Sequence, residues 1–115
     1  MKMQHVTVQT ARFEEEIAFY RDIVALTIRR DARPGRNMVF LSDTDGDTCM
    51  EIIENPDSHD AGNAWLSVGF KTQDVEALRS ELEERGYAPS PMTSPGPGVK
   101  FFFVRDPAGV NVQFI

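Results

Sequence analysis

The segment HVTVQTARFEEEIAFYRDIV, residues 5–24, joins a strand pattern to a helix pattern. From Lys2 to Thr10 the residues belong alternately to a side of mixed polarity and to a more apolar side. A period of two residues is typical of a β-strand. The apolar residues that follow are spaced by four, three and four positions, at Phe13, Ile17, Tyr20 and Val24. That spacing predicts one buried helix face, and Thr10 is a suitable N-cap for the helix.

A second segment, SVGFKTQDVEALRSELEERG at residues 67–86, repeats this order. The stretch from Ala64 to Thr72 reads as a strand, and Asp74 is a good N-cap. Val75, Leu78 and Leu82 then mark a helix face that is predicted to end at Gly86. The chain therefore contains the same strand-helix unit twice.

Three shorter apolar runs follow each helix. After the first helix they are Leu26–Ile28, Met38–Leu41 and Cys49–Ile53; after the second they are the short Tyr87–Ala88, then Val99–Val104 and Val110–Ile115. We interpret all six as strands. Residues 89–98 are rich in proline and glycine and are predicted to form a loop. Asp106-Pro107-Ala108-Gly109 has the composition of a type I turn.

Sliding the chain along itself by 62 residues aligns the two halves. The prediction is one domain, residues 1–115, built from a module at 1–53, a linker at 54–62 and a module at 63–115. Neither module can bury much core alone, so the two must pack together or against another chain. The offset pairs Val8 with Phe70, Val39 with Phe101, Leu41 with Phe103, His5 with Ser67, and Glu51 with Gln113.

Composition narrows the function classes. The 115 residues carry 12 basic and 18 acidic side chains, a net charge of −6. Such a field repels phosphate backbones and anionic lipid, so nucleic acid and membrane surfaces are poor partners. The single Cys49 cannot form an intramolecular disulfide, and the first residues show no export signal. We therefore expect a cytoplasmic protein.

Several motifs in this order resemble the vicinal oxygen chelate superfamily, which includes glyoxalase I, extradiol dioxygenases and bleomycin-resistance proteins. They are HVTV at 5–8, AFYRD at 18–22, MEII at 50–53, VEAL at 75–78 and RDPAGVNVQF at 105–114. The resemblance covers the whole chain. It implies an α+β fold in which two tandem βαβββ modules form a half-open β-barrel, and a homodimer.

The resemblance also implies a metal site on the first and last strands of each module. The matching positions are His5, Glu51, Ser67 and Gln113. Imidazole and carboxylate groups suit Zn, Ni, Mn, Fe or Co. Ser67 is a weak ligand and Gln113 offers only an amide oxygen, so the implied set is His5, Glu51 and Gln113, with the divalent metal weakly held or absent. Extradiol chemistry, which depends on two histidines, is disfavoured.

Glu51 is the strongest single candidate, because a carboxylate among Met50, Ile52 and Ile53 needs a metal, a ligand or a proton unless its face meets water. If the protein is an enzyme, the expected catalytic base is Glu51 or a hydroxide bound to the ion. Ser67, Trp65, Phe101 and Phe103 are expected to line the pocket, although aromatic residues on strands are more often core.

Two functions follow from this interpretation. The first is a glyoxalase-like protein that binds a small oxygen-rich molecule, with metal-assisted lyase or isomerase activity if it is an enzyme. The alternative is a metal-free binder of a drug or metabolite, similar to bleomycin-resistance proteins. Ser67 and Gln113 favour the alternative.

Overall fold

The computed structural model describes residues 1–44, 46–59, 63 and 66–115. The elements run in chain order as β1 (His5–Thr10), α1 (Phe13–Ala18), a π-helical turn (Phe19–Ile23), β2 (Thr27–Asp31), β3 (Met38–Ser42), β4 (Cys49–Glu54), β5 (Ser67–Phe70), α2 (Val75–Glu84), β6 (Thr93–Gly96), β7 (Val99–Arg105) and β8 (Asn111–Phe114). The predicted order of two successive βαβββ modules is confirmed.

Each module forms a four-stranded mixed sheet. The strand orders are β1-β4-β3-β2 and β5-β8-β7-β6, so both sheets share one topology. In each, the first and last strands of the module are parallel neighbours and the remaining pairs are antiparallel. This pairing sets the last strand of each module beside the first, with Cys49 opposite His5 in the first sheet and Asn111 opposite Ser67 in the second.

The first helix begins later than the sequence suggests. Its N-cap is Arg12, without a side-chain cap hydrogen bond, so the prediction of Thr10 was wrong. The Thr10 hydroxyl instead accepts the backbone N–H of Arg12 at 2.9 Å, while Thr10 itself remains in β1. In the second helix the prediction is confirmed: the Asp74 carboxylate accepts the N–H of Ala77 at 2.9 Å.

The sixth strand was placed wrongly. No strand covers Tyr87–Ala88; β6 lies at Thr93–Gly96, inside the segment predicted to be a loop. Proline is tolerated in a strand at the edge of a sheet, where its missing N–H leaves no ladder bond broken. Pro95 lies in such an edge strand, since β6 is the last member of its sheet.

The internal repeat is not constant along the chain. Thr7 pairs with Glu51 as Gly69 pairs with Gln113, an offset of 62. In the third strand of each sheet, however, Phe40 pairs with Glu51 and Phe103 with Gln113, an offset of 63. The expected matches of Val39 with Phe101 and Leu41 with Phe103 were therefore wrong by one residue, which in a strand exchanges the two faces.

Both modules contribute to one hydrophobic core. The largest buried side chains include Phe19 and Tyr20 from the π-helical turn and Phe102 from β7. Tyr20 packs against Phe70 and Phe19 against Tyr87, so the first module's turn lies on elements of the second. In the described part of the chain, no helix has the length and apolar character needed to cross a membrane.

Candidate functional site

The first sheet has one face in the core and one face outside it. Core-facing residues such as Val8, Ile52 and Val39 are buried. The other face, called here the open face, carries a row of four residues that are direct cross-strand neighbours, with His5 beside it. The row is Arg30, Phe40, Glu51 and Thr7.

Glu51 lies between two polar neighbours from β1. The Thr7 hydroxyl donates a hydrogen bond to Oε2 of Glu51. Nε2 of His5 lies 3.6 Å from the same oxygen, and the side chains of His5 and Glu51 are 41% and 12% exposed. One carboxylate oxygen is thus fixed by the protein, and a ligand on the open face meets a hydrogen-bond acceptor beside an imidazole.

Thr7 was missed as a site residue, although the alternation of β1 places it on the same side as His5. Its importance depends on the parallel register that sets it opposite Glu51, which the sequence alone does not reveal. Phe40 was also missed. Its ring meets the His5 ring edge-on at 6.0 Å between centroids, and Cζ of Arg30 lies 5.6 Å from its centroid.

The second sheet repeats the framework with different chemistry, and its own open face is the side that carries Phe101, Phe103 and Gln113. Gln113 is half-buried in β8 and lies between Gly69 and Phe103 in register. A Cβ on Gly69 would lie 3.3 Å from Oε1 of Gln113, so the amide rests against the bare glycine backbone. Phe101 and Phe103 stack edge-to-face at 5.8 Å. The first sheet presents the Glu51 carboxylate, which is hydrogen-bonded by Thr7. At the equivalent place the second sheet presents the Gln113 amide and two aromatic rings.

The structure brings together only some of the predicted site residues. His5 and Glu51 are neighbours, and Phe101 contacts Phe103. Within the described residues, no hydrogen bond or ion pair joins Gln113 or Ser67 to the His5–Glu51 pair. Ser67 is exposed at the start of β5, and the prediction for Trp65 lies outside the described residues.

A cavity of about 250 Å³ lies where the two modules meet. It is lined by Cys49 and Met50 from the first module and by Val68, Gly69 and Phe70 from the second. Cys49 is the register partner of His5, and Gly69 is the residue on which the Gln113 amide rests. The cavity therefore adjoins residues from the candidate sites of both sheets.

Two wider hollows, of about 450 and 520 Å³, lie elsewhere. Some of their cations already have carboxylate partners: Arg12 pairs with Glu15 in the first, and Lys100 in the second pairs with Glu76. Neither hollow is lined by His5, Glu51 or Gln113, the residues that the sequence predicts for the site. We therefore place the candidate site at the open face.

The described side chains near His5 and Glu51 offer fewer ligands than a divalent ion needs. His5 and Glu51 are close enough to contact one ion, but zinc sites in proteins use three or four ligands. In the described ranges, no group of three or more His, Cys, Asp or Glu side chains could hold a metal. The Thr7 hydroxyl also occupies the Glu51 oxygen nearest His5. The described side chains do not fit a tightly held divalent ion.

Known proteins resemble this chain at two levels. The model of the Glyoxalase/Bleomycin resistance protein/Dioxygenase superfamily matches residues 2–114. No curated protein matches the sequence.

Among solved structures, a lactoylglutathione lyase from Agrobacterium tumefaciens is 20% identical with a TM-score of 0.74, covering 97% of this chain and 90% of that one. TnmS3, an antibiotic binding protein from Streptomyces sp. CB03234, is 20% identical with a TM-score of 0.75, covering 99% and 93%. A possible glyoxalase from Bacillus cereus is 19% identical with a TM-score of 0.76, covering 100% and 98%. These similarities confirm the α+β fold with a half-open barrel; at such identities they establish the fold alone.

Proposed function

The chain belongs to the Glyoxalase/Bleomycin resistance protein/Dioxygenase superfamily, and we propose that it binds a small organic molecule on its open sheet faces without a tightly held metal. The observation that carries this proposal is the Glu51 carboxylate, which is mostly buried yet held on the open face by the Thr7 hydroxyl, with Nε2 of His5 3.6 Å away. A desolvated carboxylate is a costly group to keep unless it has partners. A ligand hydroxyl or N–H would supply the further hydrogen bond.

The aromatic residues support the same proposal. Phe40 stands beside Glu51 in the first sheet, and Phe101 and Phe103 are half-buried in the second. Small-molecule sites typically combine apolar and aromatic walls with a few placed polar groups. Gln113 and Ser67 add neutral hydrogen-bonding groups of the kind that suits an uncharged, oxygen-rich ligand portion.

The experiment is a thermal-shift screen of the metal-free protein against a panel of neutral and anionic aromatic compounds, followed by calorimetry. We expect Glu51→Gln to abolish binding of any compound found, with a melting temperature near that of the natural protein, because the amide still accepts from Thr7. Glu54→Gln, on the same strand but on the opposite face, is the control and should bind normally. Unchanged binding by Glu51→Gln would remove Glu51 from the site.

Metal-assisted lyase or isomerase activity of the lactoylglutathione lyase type is the second candidate. It is favoured by the 3.6 Å separation of His5 Nε2 and Glu51 Oε2, and members of the superfamily commonly use divalent metals. His5, Glu51 and Gln113 remain the proposed ligands. Calorimetric titration with NiCl₂ or ZnCl₂ separates the two candidates: weak or absent binding supports the first, and tight binding supports the second.

The remaining expectations concern the setting. We propose that the protein is a homodimer located in the cytoplasm and that its modules span residues 1–53 and 63–115. Its partner is a small molecule and neither nucleic acid nor membrane, in keeping with the net charge of −6. Sedimentation analysis of the purified chain tests the dimer directly.

A further inference from the structure

Arg30 occupies a particular place on the open face. It pairs with Phe40, Phe40 pairs with Glu51, and Glu51 pairs with Thr7, so the four side chains stand in a line across four strands. Arg30 is at the outer end of this line, and Glu51 is two strands away. Neighbouring strands lie about 4.8 Å apart, so the backbone positions of Arg30 and Glu51 are separated by about 10 Å.

The guanidinium of Arg30 is positioned by an aromatic ring and not by an acid. Its Cζ lies 5.6 Å from the centroid of Phe40, within the range of a cation–π contact. A contact of this kind places no carboxylate on the guanidinium, so its N–H groups remain available to a bidentate anion. The same Phe40 ring contacts His5 on the Glu51 side.

Most other arginines of the described chain already have an ion-pair or hydrogen-bond partner within the protein. Arg12, Arg21, Arg33, Arg79 and Arg85 each form an ion pair with a carboxylate. Arg29 and Arg105 donate to backbone carbonyl oxygens. Arg30 makes no ion pair with any described residue, even though the chain has 18 acidic side chains. The cation on the sheet face beside the candidate site is thus available to a ligand.

Arg30 and Glu51, at different places in the row, favour opposite kinds of ligand group. Glu51 accepts hydrogen bonds and repels an anion, whereas Arg30 donates hydrogen bonds and attracts one. Phe40 between them offers a flat apolar surface. A ligand that satisfies all three groups carries an acid at one end, an aromatic middle and a hydroxyl at the other end.

We propose that Arg30 is the anion-binding residue of this site and that the ligand is a hydroxylated aromatic acid, with its acid on Arg30 and its hydroxyl toward Glu51 and His5. This proposal rests on the proposed function and adds the ligand class. A two-ring aromatic acid with its hydroxyl and carboxyl groups at opposite ends has roughly the length that separates the two strands.

The test uses three fluorescent probes with the full chain. They are 6-hydroxy-2-naphthoic acid, its methyl ester, which keeps the hydroxyl and loses the charge, and 6-methoxy-2-naphthoic acid, which keeps the charge and loses the donor. We expect the natural protein to bind the hydroxy acid about tenfold more tightly than the ester, the lower end of the range for a charge-assisted hydrogen bond. Added salt should reduce that preference, because the site is open to solvent.

Arg30→Gln should abolish the preference for acid over ester, while Arg30→Lys should retain part of it because the charge remains. Arg36→Gln removes an exposed arginine from the β2–β3 loop and should leave the preference unchanged. Glu51→Gln should weaken the hydroxy acid more than the methoxy acid. A preference that survives in Arg30→Gln overturns the assignment.

The outcome also separates this inference from the proposed function. Equal binding of acid and ester by the natural protein overturns the role of Arg30 but supports a small-molecule site. If none of the three probes binds, the proposed ligand class is overturned. The thermal-shift screen of the compound panel then tests the proposed function independently.

Discussion

The hydroxyl of Tyr20 connects the two modules through a buried hydrogen bond. Tyr20 is fully buried, and its Oη donates to Oδ2 of Asp106 at 2.8 Å. The other carboxylate oxygen accepts the N–H groups of Ala108 and Val110 at 3.0 and 2.8 Å. Burial, together with the nearby carboxylates of Asp106 and Glu16, raises the pKa of Tyr20 well above its ordinary value. The phenol therefore remains a donor throughout the usual pH range.

Tyr20→Phe removes this donor and little else. A hydrogen bond to a charged group contributes about 1.5–3 kcal/mol, and a buried acceptor left with fewer partners is costly. Asp106 is only 5% exposed, so water replaces the lost hydroxyl poorly. We expect the free energy of unfolding to fall by about 2 kcal/mol. For a chain of this size that corresponds to a melting temperature lower by roughly 8 °C.

The assay is urea denaturation followed by far-ultraviolet circular dichroism, with Tyr87→Phe as the matched control. Tyr87 is half-buried against Phe19, and its hydroxyl has no hydrogen bond to a described residue. The control should change the free energy of unfolding by less than about 0.5 kcal/mol. Equal losses in the two variants would refute the argument, because the loss would then come from the ring environment and not from the bond to Asp106.

Three further predictions concern the second module and the first sheet's edge. Ser67→His combined with Gln113→Glu should increase Ni²⁺ affinity at least tenfold by calorimetry, because both replacements are stronger ligands; no gain would contradict the proposed ligand positions. Gly69→Ala should displace the Gln113 amide, whose Oε1 lies 3.3 Å from the new Cβ, and weaken ligand binding severalfold with little change in melting temperature. The hydrogen bond from Arg33 lowers the pKa of Asp31 to about 2 from 3.8, so its stabilising effect is complete above the unfolded value and is lost as the pH falls from about 4 to 2. Asp31→Asn should therefore reduce the dependence of the free energy of unfolding on pH between about 4 and 2. An unchanged pH dependence would show that the Asp31–Arg33 pair contributes nothing to stability.

Most of the fold could be predicted from the sequence because the two modules repeat a strong local pattern. Alternation defined β1, and the spacing of Phe13, Ile17 and Tyr20 defined the helical segment. The errors arose where local patterns are weak. Thr93–Gly96 contains a proline and a glycine, and it becomes a strand only because β7 offers it an edge to pair with.

The site was only partly predictable for a similar reason. His5 and Glu51 stand out as polar residues in strands, and the structure places them 3.6 Å apart. Thr7 and Arg30 have no such signal, since threonine and arginine are ordinary residues on an exposed sheet face. Their relation to Glu51 depends on the register of three strand pairs, which is set by turns and core packing.

The one-residue change in the internal repeat matters for the chemistry of the open faces. With the constant offset, Phe101 would match a core residue, Val39, and the aromatic content of the open faces would be misjudged. The observed register instead makes Phe40 and Phe103 equivalent, each beside the last strand of its module. The two sheets therefore share an aromatic position and differ at its neighbour, which is the carboxylate Glu51 in one and the amide Gln113 in the other. A ligand that meets both sheets encounters charge and a strong acceptor at one end and a neutral, more aromatic surface at the other, so binding should favour molecules with the same asymmetry.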